Sequence, residues 1–345
     1  MVDALESCVL EAGVNNDLTG ESRLRVLAVI PFSPERSSMV FIKRQIASLQ
    51  SAGISCRSFE LASRTSPRIL FREWRRLRKE IASFRPDFVH AHYGTMTALL
   101  TVLSTSLPVV ITFRGSDLNP YRSPYTLRQR VARLMSQVAA LRADRIICVS
   151  NQLKERLWWR RDRVSVIPSG VETKVFFPRP RFEARKELGW RQDESVVLFN
   201  AGTAPLSKRL DLALSSVESA RATHGNIRLA VLDCNYPPEI IPIMMNAADC
   251  LLLTSDWEGS PNVVKEAIAC NLPVVTVDAG DVRERLALVE PSRIVARNTQ
   301  EIAAGIVEIL SIKQRSNGVT QIQKLSEEKV ANHVASVYRA MLRAR

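Results

Sequence analysis

Two glutamates in the second half of the chain, Glu258 and Glu266, are separated by seven intervening residues within TSDWEGSPNVVKEAIACNLPVV (254–275). Apolar spacing predicts a helix over 262–269, which follows the strand-like run CLLLTS and is capped by Ser260. The N–H groups and positive dipole at such a helix start attract anions. One carboxylate would lie just before that anion site and the other about two turns into the helix. The pair could therefore hold hydroxyl groups on either side of a pyrophosphate, as a nucleotide-activated sugar requires.

These residues must be positioned by the alternating strands and helices that the rest of the sequence predicts. Apolar, β-rich runs alternate with segments of helical periodicity, which favours parallel sheets. The predicted strands lie at 23–32, 53–61, 87–93, 107–115, 144–150, 195–202, 226–233, 250–255, 272–278 and 292–297. The predicted fold class is α/β, with two Rossmann-like domains and a cleft between them.

The domain boundaries follow from where this alternation stops and restarts. We expect an N-terminal extension (1–20), a first domain (21–175), a second domain (190–330) and a final helix (about 331–345) that packs back on the first domain. Proline and glycine come together in VSVIPSGVETKVFFPRPR, which places the linker at about 170–190. Because 46% of the 345 residues are apolar, the chain can build two cores.

The segment around the two glutamates resembles the Glu, seven residues, Glu signature of retaining glycosyltransferases of family 4, which have the GT-B fold of two facing Rossmann-like domains. The resemblance extends from about residue 24 to the end, through RPDFVHAHYG, VVITFRGSD, DRIICVSNQLKERL, VSVIPSGVETKVFFP and LFNAGTAPLSKRLDLAL. It implies that Glu258 contacts the donor sugar and that Glu266 binds the ribose. It also implies that backbone amides of the following turn bind the sugar and phosphates. That turn comprises Gly259, Ser260, Pro261 (expected at the first helical position), Asn262 and Val263.

The loop after Gly202 departs from the family pattern. The pattern has an arginine directly after this glycine and a lysine five residues later, both on the donor diphosphate. Here Thr203 takes the place of the arginine, and the lysine is Lys208. We expect Arg209 to supply the second charge, although a Lys/Arg pair at a helix start can also be an ordinary solvated pair.

The first half of the chain departs further from that pattern. The loop PFSPERSSM lacks the usual Gly-Gly pair, so Ser37 and Ser38 either supply donors themselves or belong to an acceptor loop. Arg114 replaces a frequent histidine and suits electrostatic stabilisation rather than proton transfer. Asp117 either orients Arg114 or accepts from a sugar hydroxyl, and a surface ion pair is the alternative for these two residues.

Two histidines of the first half, His90 and His92, lie two residues apart on a predicted strand and so share one face. We expect His92 near the cleft, with a catalytic role, and His90 in a structural role. Neither this pair nor the acidic triplet around Trp257 is interpreted as a metal site. Lys208, Arg209 and the helix start already supply positive charge for a leaving diphosphate, so no metal or other cofactor is expected.

The net charge of +13 is concentrated in part between Arg64 and Arg85, which includes eight Lys or Arg against two Glu. An apolar stripe there is expected to pack on the sheet and to leave a basic face outside. With the tryptophans of LKERLWWRRDR, that face suits an anionic membrane, where each basic residue contributes about 1 kcal/mol. A merely solvated basic face is the alternative. No nucleic-acid-binding motif accompanies the charge.

Localisation and redox state follow from what the sequence contains. No run approaches the roughly 18 apolar residues of a membrane span, and the start of the chain lacks signal-peptide features, which predicts a cytoplasmic protein, with peripheral membrane contact as the further option. The six cysteines are scattered and are expected to be reduced.

The resemblance implies a retaining, metal-independent glycosyltransferase that moves a sugar from a nucleotide sugar to a glycan or lipid-linked acceptor, in bacterial cell-surface polysaccharide or glycoconjugate synthesis. A sugar-nucleotide epimerase of the same fold would bind the same donor but needs acid and base groups in the cleft. A degenerate, non-catalytic subunit is the other alternative, favoured by the missing glycines and by Thr203.

Overall fold

The structure is a computed structural model that describes residues 24–32, 39–62, 66–119, 126–233 and 235–343. Its strands are β1 (Arg25–Pro31), β2 (Ser55–Leu61), β3 (Phe88–His92), β4 (Val109–Phe113), β5 (Arg145–Cys148), β6 (Val164–Val166), β7 (Ser195–Gly202), β8 (Ile227–Asp233), β9 (Cys250–Leu253), β10 (Val274–Val277) and β11 (Arg293–Val295). The α-helices in the first half are α1 (Val40–Ser51), α2 (Pro67–Phe84), α3 (Thr95–Ser104), α4 (Leu127–Arg142) and α5 (Asn151–Glu155). Those in the second half are α6 (Arg181–Leu188), α7 (Pro205–Lys208), α8 (Leu210–His224), α9 (Ile241–Ala247), α10 (Asn262–Ala269), α11 (Val282–Leu286), α12 (Thr299–Ile312), α13 (Gly318–Ile322) and α14 (Glu327–Arg343).

The strands form two separate parallel sheets, so the predicted α/β class is confirmed. The first sheet has the order β2-β1-β3-β4-β5-β6 and the second the order β11-β10-β9-β7-β8. Strands β3 and β4 in the first sheet and β9 and β10 in the second are buried along their whole length, which explains their continuous apolar runs.

Helices cover both faces of the first sheet. Helices α2, α3 and α4 pack side by side on one face, and α1 and α14 pack together on the other. The apolar stripe of α2 packs inward through Leu77 and Phe84, as the sequence predicts. Helix α14 lies on the first sheet through Val334 and Tyr338, so the chain crosses between the domains twice.

Each sheet has one point at which the strand order changes direction. In the first sheet the chain moves outward from β1 to β2 and then returns to β3 on the other side of β1. In the second it moves from β7 to β8 and returns to β9. Ligands of doubly wound sheets bind at the carboxyl ends of the strands beside this point. The loops after β7 and β9 therefore define the expected ligand site of the second domain.

Candidate functional site

The switch point of the second sheet brings Lys208 and Glu258 into contact. Lys208 ends the short helix after β7, and Glu258 lies in the turn after β9. Lys208 Nζ donates to Glu258 Oε1 at 2.5 Å, and the two side chains are 26% and 12% exposed. A partly buried ammonium and carboxylate thus stand at the place where the fold binds ligands. Both remain open enough on one side to exchange their mutual contact for contacts with a ligand.

The loop that carries Lys208 is anchored from β9. Thr254 Oγ1 donates to the backbone carbonyls of Lys208 (2.8 Å) and Arg209 (3.0 Å). Arg209 occupies a left-handed conformation with φ of 58°, and it separates helix α7 from helix α8. Gly202 and the exposed Thr203 begin the same loop. The loop is therefore fixed at Lys208 and Arg209, while Thr203 near its start is exposed.

The guanidinium of Arg209 is paired with carboxylates of its own domain. Its Nε donates to Asp211 at 3.0 Å, and a second nitrogen lies 3.4 Å from Asp256. Asp256 also accepts from Arg297 at 2.9 Å. Arg209, the expected source of the second positive charge for the diphosphate, is therefore already paired with carboxylates in this arrangement. Arg297 was not singled out from the sequence, because it lies 41 residues from Asp256 and follows a different strand.

The turn before helix α10 differs from the prediction at two positions. The helix begins at Asn262, with Pro261 as its N-cap residue and no side-chain cap, so Ser260 does not cap it and Pro261 is not its first residue. Ser260 Oγ instead donates to Asp281 at 2.9 Å. Val263 is buried, which leaves its backbone rather than its side chain to act at the site. The prediction of a Ser260 cap is wrong because the helix begins one residue later than a Ser260 cap requires, and the Ser260 oxygen accepts from Lys265 Nζ instead of a backbone N–H.

Gly259 lies where the two domains touch. A Cβ atom on Gly259 would lie 1.9 Å from the carbonyl oxygen of Arg114, a distance that no side chain tolerates. Asn119 Nδ2 donates to the carbonyl oxygen of Glu258 at 2.8 Å across the same contact. The loop 114–119 of the first domain is thus seated directly on the turn that carries Glu258. Only a residue without a side chain permits this approach.

A buried lysine, Lys265, ties the same turn to the connection between the domains. Its Nζ donates to the carbonyl oxygen of Ser169 at 2.8 Å and to Ser260 Oγ at 3.0 Å. Burial lowers the Lys265 pKa to about 8, and the nearby Asp281 carboxylate opposes that shift. Sequence reasoning missed Lys265, because within a helix it reads as an ordinary surface residue. Its position shows that the turn before α10 and the interdomain connection are fixed to each other.

Glu266 is the fifth residue of helix α10, a little over one turn from its start rather than two. Burial raises its pKa to about 7, while the positive charge of Arg44 opposes this shift and Glu327 reinforces it. Arg44 belongs to α1 of the first domain and forms an ion pair with Glu172 at 3.5 Å. Glu266 therefore faces a charged cluster to which both domains contribute, and its protonation state is sensitive near neutral pH.

On the first-domain side, the half-buried Arg114 and the buried His92 form one hydrogen-bonded group. Arg114 donates to Ser169 Oγ at 3.1 Å, to Gln45 Oε1 at 2.5 Å and to His92 Nδ1 at 3.1 Å. Burial lowers the Arg114 pKa to about 10, so the guanidinium stays charged at neutral pH. Burial also holds the His92 pKa well below its usual value.

This geometry defines the protonation of His92. Because Nδ1 accepts from Arg114, the proton of the neutral ring resides on Nε2. Within the described residues, His92 Nε2 has no hydrogen-bond partner. His92 is thus a neutral ring that can donate a hydrogen bond through Nε2. The neighbouring guanidinium holds it in place, and it cannot act as a base through Nδ1.

Asp117 and His90 have structural roles. The Asp117 carboxylate is buried and accepts backbone N–H groups from Gly94 (3.0 Å), Arg114 (3.0 Å) and Gly115 (2.8 Å). It therefore shapes the loop backbone at Arg114, and its expected role in orienting Arg114 or accepting from a sugar hydroxyl stays a prediction. His90 bonds to Tyr338 (2.6 Å) and Thr112 (2.7 Å), and its ring stacks 3.8 Å from that of His92.

Ser37 and Ser38 lie outside the described residues, so their predicted role stays a prediction. The described part of the chain contains no cluster of three or more His, Cys, Asp or Glu side chains that could hold a metal ion. Among the same residues, no helix is long and apolar enough to cross a bilayer.

Comparison with known sequences matches each half of the chain to a glycosyltransferase family. Residues 27–175 match the Glycosyltransferase Family 4 profile, and residues 186–311 match Glycosyl transferases group 1. The putative teichuronic acid biosynthesis glycosyltransferase TuaC of Bacillus subtilis is 26% identical over 239 residues, covering 64% of this chain and 60% of that protein. A D-inositol 3-phosphate glycosyltransferase of Acidothermus cellulolyticus is 28% identical over 239 residues, covering 56% and 52%. The chain thus spans between 52% and 60% of the length of these two relatives.

Solved structures share the whole architecture. Sucrose-phosphate synthase from Thermosynechococcus elongatus superposes with a TM-score of 0.79 at 16% identity, covering 94% of this chain and 100% of that one. Anabaena HepE in complex with UDP-glucose gives 0.71 at 16% identity, covering 92% and 100%. The UDP-GlcNAc 2-epimerase from Methanocaldococcus jannaschii gives 0.58 at 13% identity, covering 92% and 100%. The predicted GT-B fold is confirmed, and the two sequence profiles together with this fold show that the chain belongs to glycosyltransferase family 4.

Proposed function

We propose that this protein is a retaining glycosyltransferase that moves a sugar from a nucleotide sugar to a glycan or lipid-linked acceptor. The observation that carries the proposal is the contact between Lys208 and Glu258 at the switch point of the second sheet, beside the start of helix α10. A cation, an anion and a helix N-terminus at one point suit a ligand with both a diphosphate and sugar hydroxyls.

Binding of the donor would exchange one contact for two. Lys208 would turn from Glu258 to the diphosphate, and the freed Glu258 carboxylate would accept from hydroxyls of the sugar. Because negative charge grows on the diphosphate as the glycosidic bond breaks, Lys208 and the amides of the 259–263 turn would stabilise the transition state more than the ground state. Glu266 would accept from the ribose.

The acceptor would approach from the first domain. His92 and Arg114 would present a neutral donor and a fixed positive charge there, and contact between the domains would exclude water from the cleft. In this reaction the chain supplies positioning and charge rather than a covalent nucleophile. Retention would then follow from attack on the face of the sugar from which the diphosphate leaves.

The related proteins suggest which donor and which acceptor to test first. HepE was solved with UDP-glucose, so a uridine nucleotide is the first donor to test. The name of TuaC supports an acceptor in cell-surface polysaccharide synthesis. The exposed basic face of α2, which includes Arg72, Arg75, Arg78 and Lys79, is suited to an anionic lipid surface at the inner face of the membrane. We propose no metal or cofactor, because Lys208 and the α10 start supply the charge that the diphosphate requires.

A panel of nucleotide sugars, each incubated with the protein and analysed by mass spectrometry, tests this function. Hydrolysis or transfer of one donor, faster with a glycan acceptor and unchanged by a chelator, is the expected result. Conversion of the donor sugar to its epimer without any acceptor would instead show an epimerase. Absence of binding to every nucleotide sugar would show a degenerate subunit and refute the proposal.

A further inference from the structure

Helix α4 carries its large apolar side chains on the face that points away from the sheet. The residues that face the sheet are small or polar, namely Ser136, Gln137, Ala139 and Ala140. The residues that face outward are Leu127, Val131, Leu134, Val138 and Leu141, whose exposure ranges from 39% to 77%. We call these five residues the α4 stripe. Since a helix in water normally buries its apolar face, we expect a binding partner or a lipid surface to cover the α4 stripe.

The α4 stripe is continuous along the helix. Its members follow one another at intervals of four, three, four and three residues, which keeps them on one side of the helix for roughly 21 Å. Such spacing fits either another helix or the surface of a bilayer.

The charges beside the α4 stripe disfavour a second copy of this chain as the partner that covers it. Helix α4 contains no acidic residue, and Arg128, Arg130 and Arg142 flank the stripe. Two copies packed through this stripe would place arginines against arginines. The occupant must therefore be apolar at its centre and negatively charged at its margin.

The exposed apolar surface continues beyond α4. Leu103 on α3 is 66% exposed and Phe71 on α2 is 61% exposed, and these helices form one layer with α4. Trp158 is 53% exposed, and its backbone N–H donates to the α4 residue Gln137 at 3.0 Å. A surface that extends over several elements, with a tryptophan and arginines at its margin, favours a lipid interface over a single partner helix.

We propose that the α4 stripe inserts into the interface of an anionic bilayer, with its flanking arginines at the lipid phosphates. This inference deepens the lipid-linked acceptor of the proposed function by giving the first domain a defined side toward the membrane. The predicted role of Trp158 is retained, whereas Trp159 is excluded because its indole N–H donates to the Gln137 carbonyl at 2.7 Å and its ring packs on the core. The basic face of α2 then supplies attraction at longer range.

Co-sedimentation with phosphatidylcholine vesicles, with and without phosphatidylglycerol, tests this inference. The wild-type protein should bind only the vesicles that contain phosphatidylglycerol. The double variant Leu134→Gln/Val138→Gln should lose about tenfold or more of its partition coefficient, because two apolar side chains no longer enter the bilayer. The double variant Leu214→Gln/Leu288→Gln is the matched control, since those leucines are 53% and 68% exposed in the second domain. It should bind as wild type does.

Thermal melting shows whether the variants fold, and their midpoints should match wild type because the replaced side chains are already exposed. Equal partitioning of the α4 variant and the control variant would overturn the inference. A wild-type dimer that dissociates in the α4 variant, measured by light scattering, would assign the stripe to a protein interface and would also overturn it. The vesicles contain neither donor nor acceptor, and transfer to a soluble acceptor should survive in the α4 variant. The inference and the proposed function can therefore fail separately.

Discussion

The two sides of the cleft hold their charged groups in different ways. On the second-domain side, Lys208 forms an ion pair with Glu258, its one ion-pair partner among the residues that the structure describes, and stays 26% exposed. On the first-domain side, Arg114 is surrounded by Ser169, Gln45 and His92 and lies 4.9 Å from the ring of Phe41. A charge with one exchangeable partner can be transferred to a ligand, whereas a charge with several fixed partners shapes its surroundings.

The two sides also differ in how far they depart from the family pattern: the second domain keeps both glutamates and the lysine and departs at Thr203, whereas the first domain departs at Arg114 and in its first loop. In the proposed function the second domain would hold the donor with a cation, a carboxylate and a helix start at one point, which Lys208, Glu258 and α10 supply. The first domain would match a particular acceptor through Arg114 and the first loop. We therefore expect substitutions on the two sides to affect different substrates.

The largest effect should come from separating the two sides. Gly259→Ala would place a Cβ atom 1.9 Å from the Arg114 carbonyl oxygen, so the domains could not meet. Turnover should fall by about 100-fold or more, because small displacements of reacting groups have effects of that size. Gly225→Ala is the control, since its Cβ would meet nothing within 4 Å; its φ of 83° adds a local backbone strain that Gly259, which has no positive φ, lacks. Similar turnover in both variants would show that close contact between the domains is not needed.

Removing the exchangeable cation should have the next largest effect. Lys208→Ala should lower turnover by about 100- to 1000-fold and change the KM for donor less, because its charge acts mainly on the developing diphosphate. Steady-state kinetics measures both quantities, with Lys324→Ala as an exposed control. A rise in KM with unchanged turnover would show that Lys208 serves only ground-state binding.

A smaller, pH-dependent effect is expected at Glu266. Glu266→Gln should weaken donor binding by about 1 to 3 kcal/mol above pH 7, where the wild-type carboxylate is ionised. Because the wild-type pKa is raised from 4.5 to about 7, the difference between the proteins should shrink below that pH. Calorimetry across the pH range measures this, and unchanged affinity at high pH would remove Glu266 from the donor site.

The same shift predicts a change in folding stability. Folding raises the Glu266 pKa, so the folded protein binds more protons than the unfolded chain between pH 4.5 and about 7. Its contribution to the free energy of unfolding should fall as pH rises through that window, and Glu266→Gln should abolish this contribution. Glu328→Gln, at an exposed position, is the control.

The sequence predicts the elements well where their apolar patterns are long. Ten predicted strands correspond to β1–β5 and β7–β11, but β6 was not predicted, since Val164–Val166 run directly into the proline- and glycine-containing segment that leads to the predicted linker. Helix α6 falls inside the predicted linker, because only its packing against α9 distinguishes it from a connecting segment. The outward face of α4 also could not be read, since helical periodicity does not tell which side faces the sheet.

The part of the site that lies in loops directly after strands could be predicted from the sequence. Lys208 and Glu258 come together because their loops follow neighbouring strands, β7 and β9. The bonds from Lys265 to Ser169 and from Asn119 to Glu258 join residues 96 and 139 positions apart. Their formation depends on how the two domains meet, which no local pattern encodes.

The most direct test measures nucleotide-sugar affinity in two variants, one from each side of the cleft. The tightest-binding nucleotide sugar of the panel is titrated into wild type, Lys208→Ala and Arg114→Gln by calorimetry, after thermal melting has shown that all three fold. Lys208→Ala should weaken donor binding, by less than it lowers turnover, while Arg114→Gln should leave donor binding close to wild type and instead raise the KM for acceptor. Equal losses of donor affinity in both variants, or a loss in Arg114→Gln alone, would contradict the assignment of the donor to the second domain.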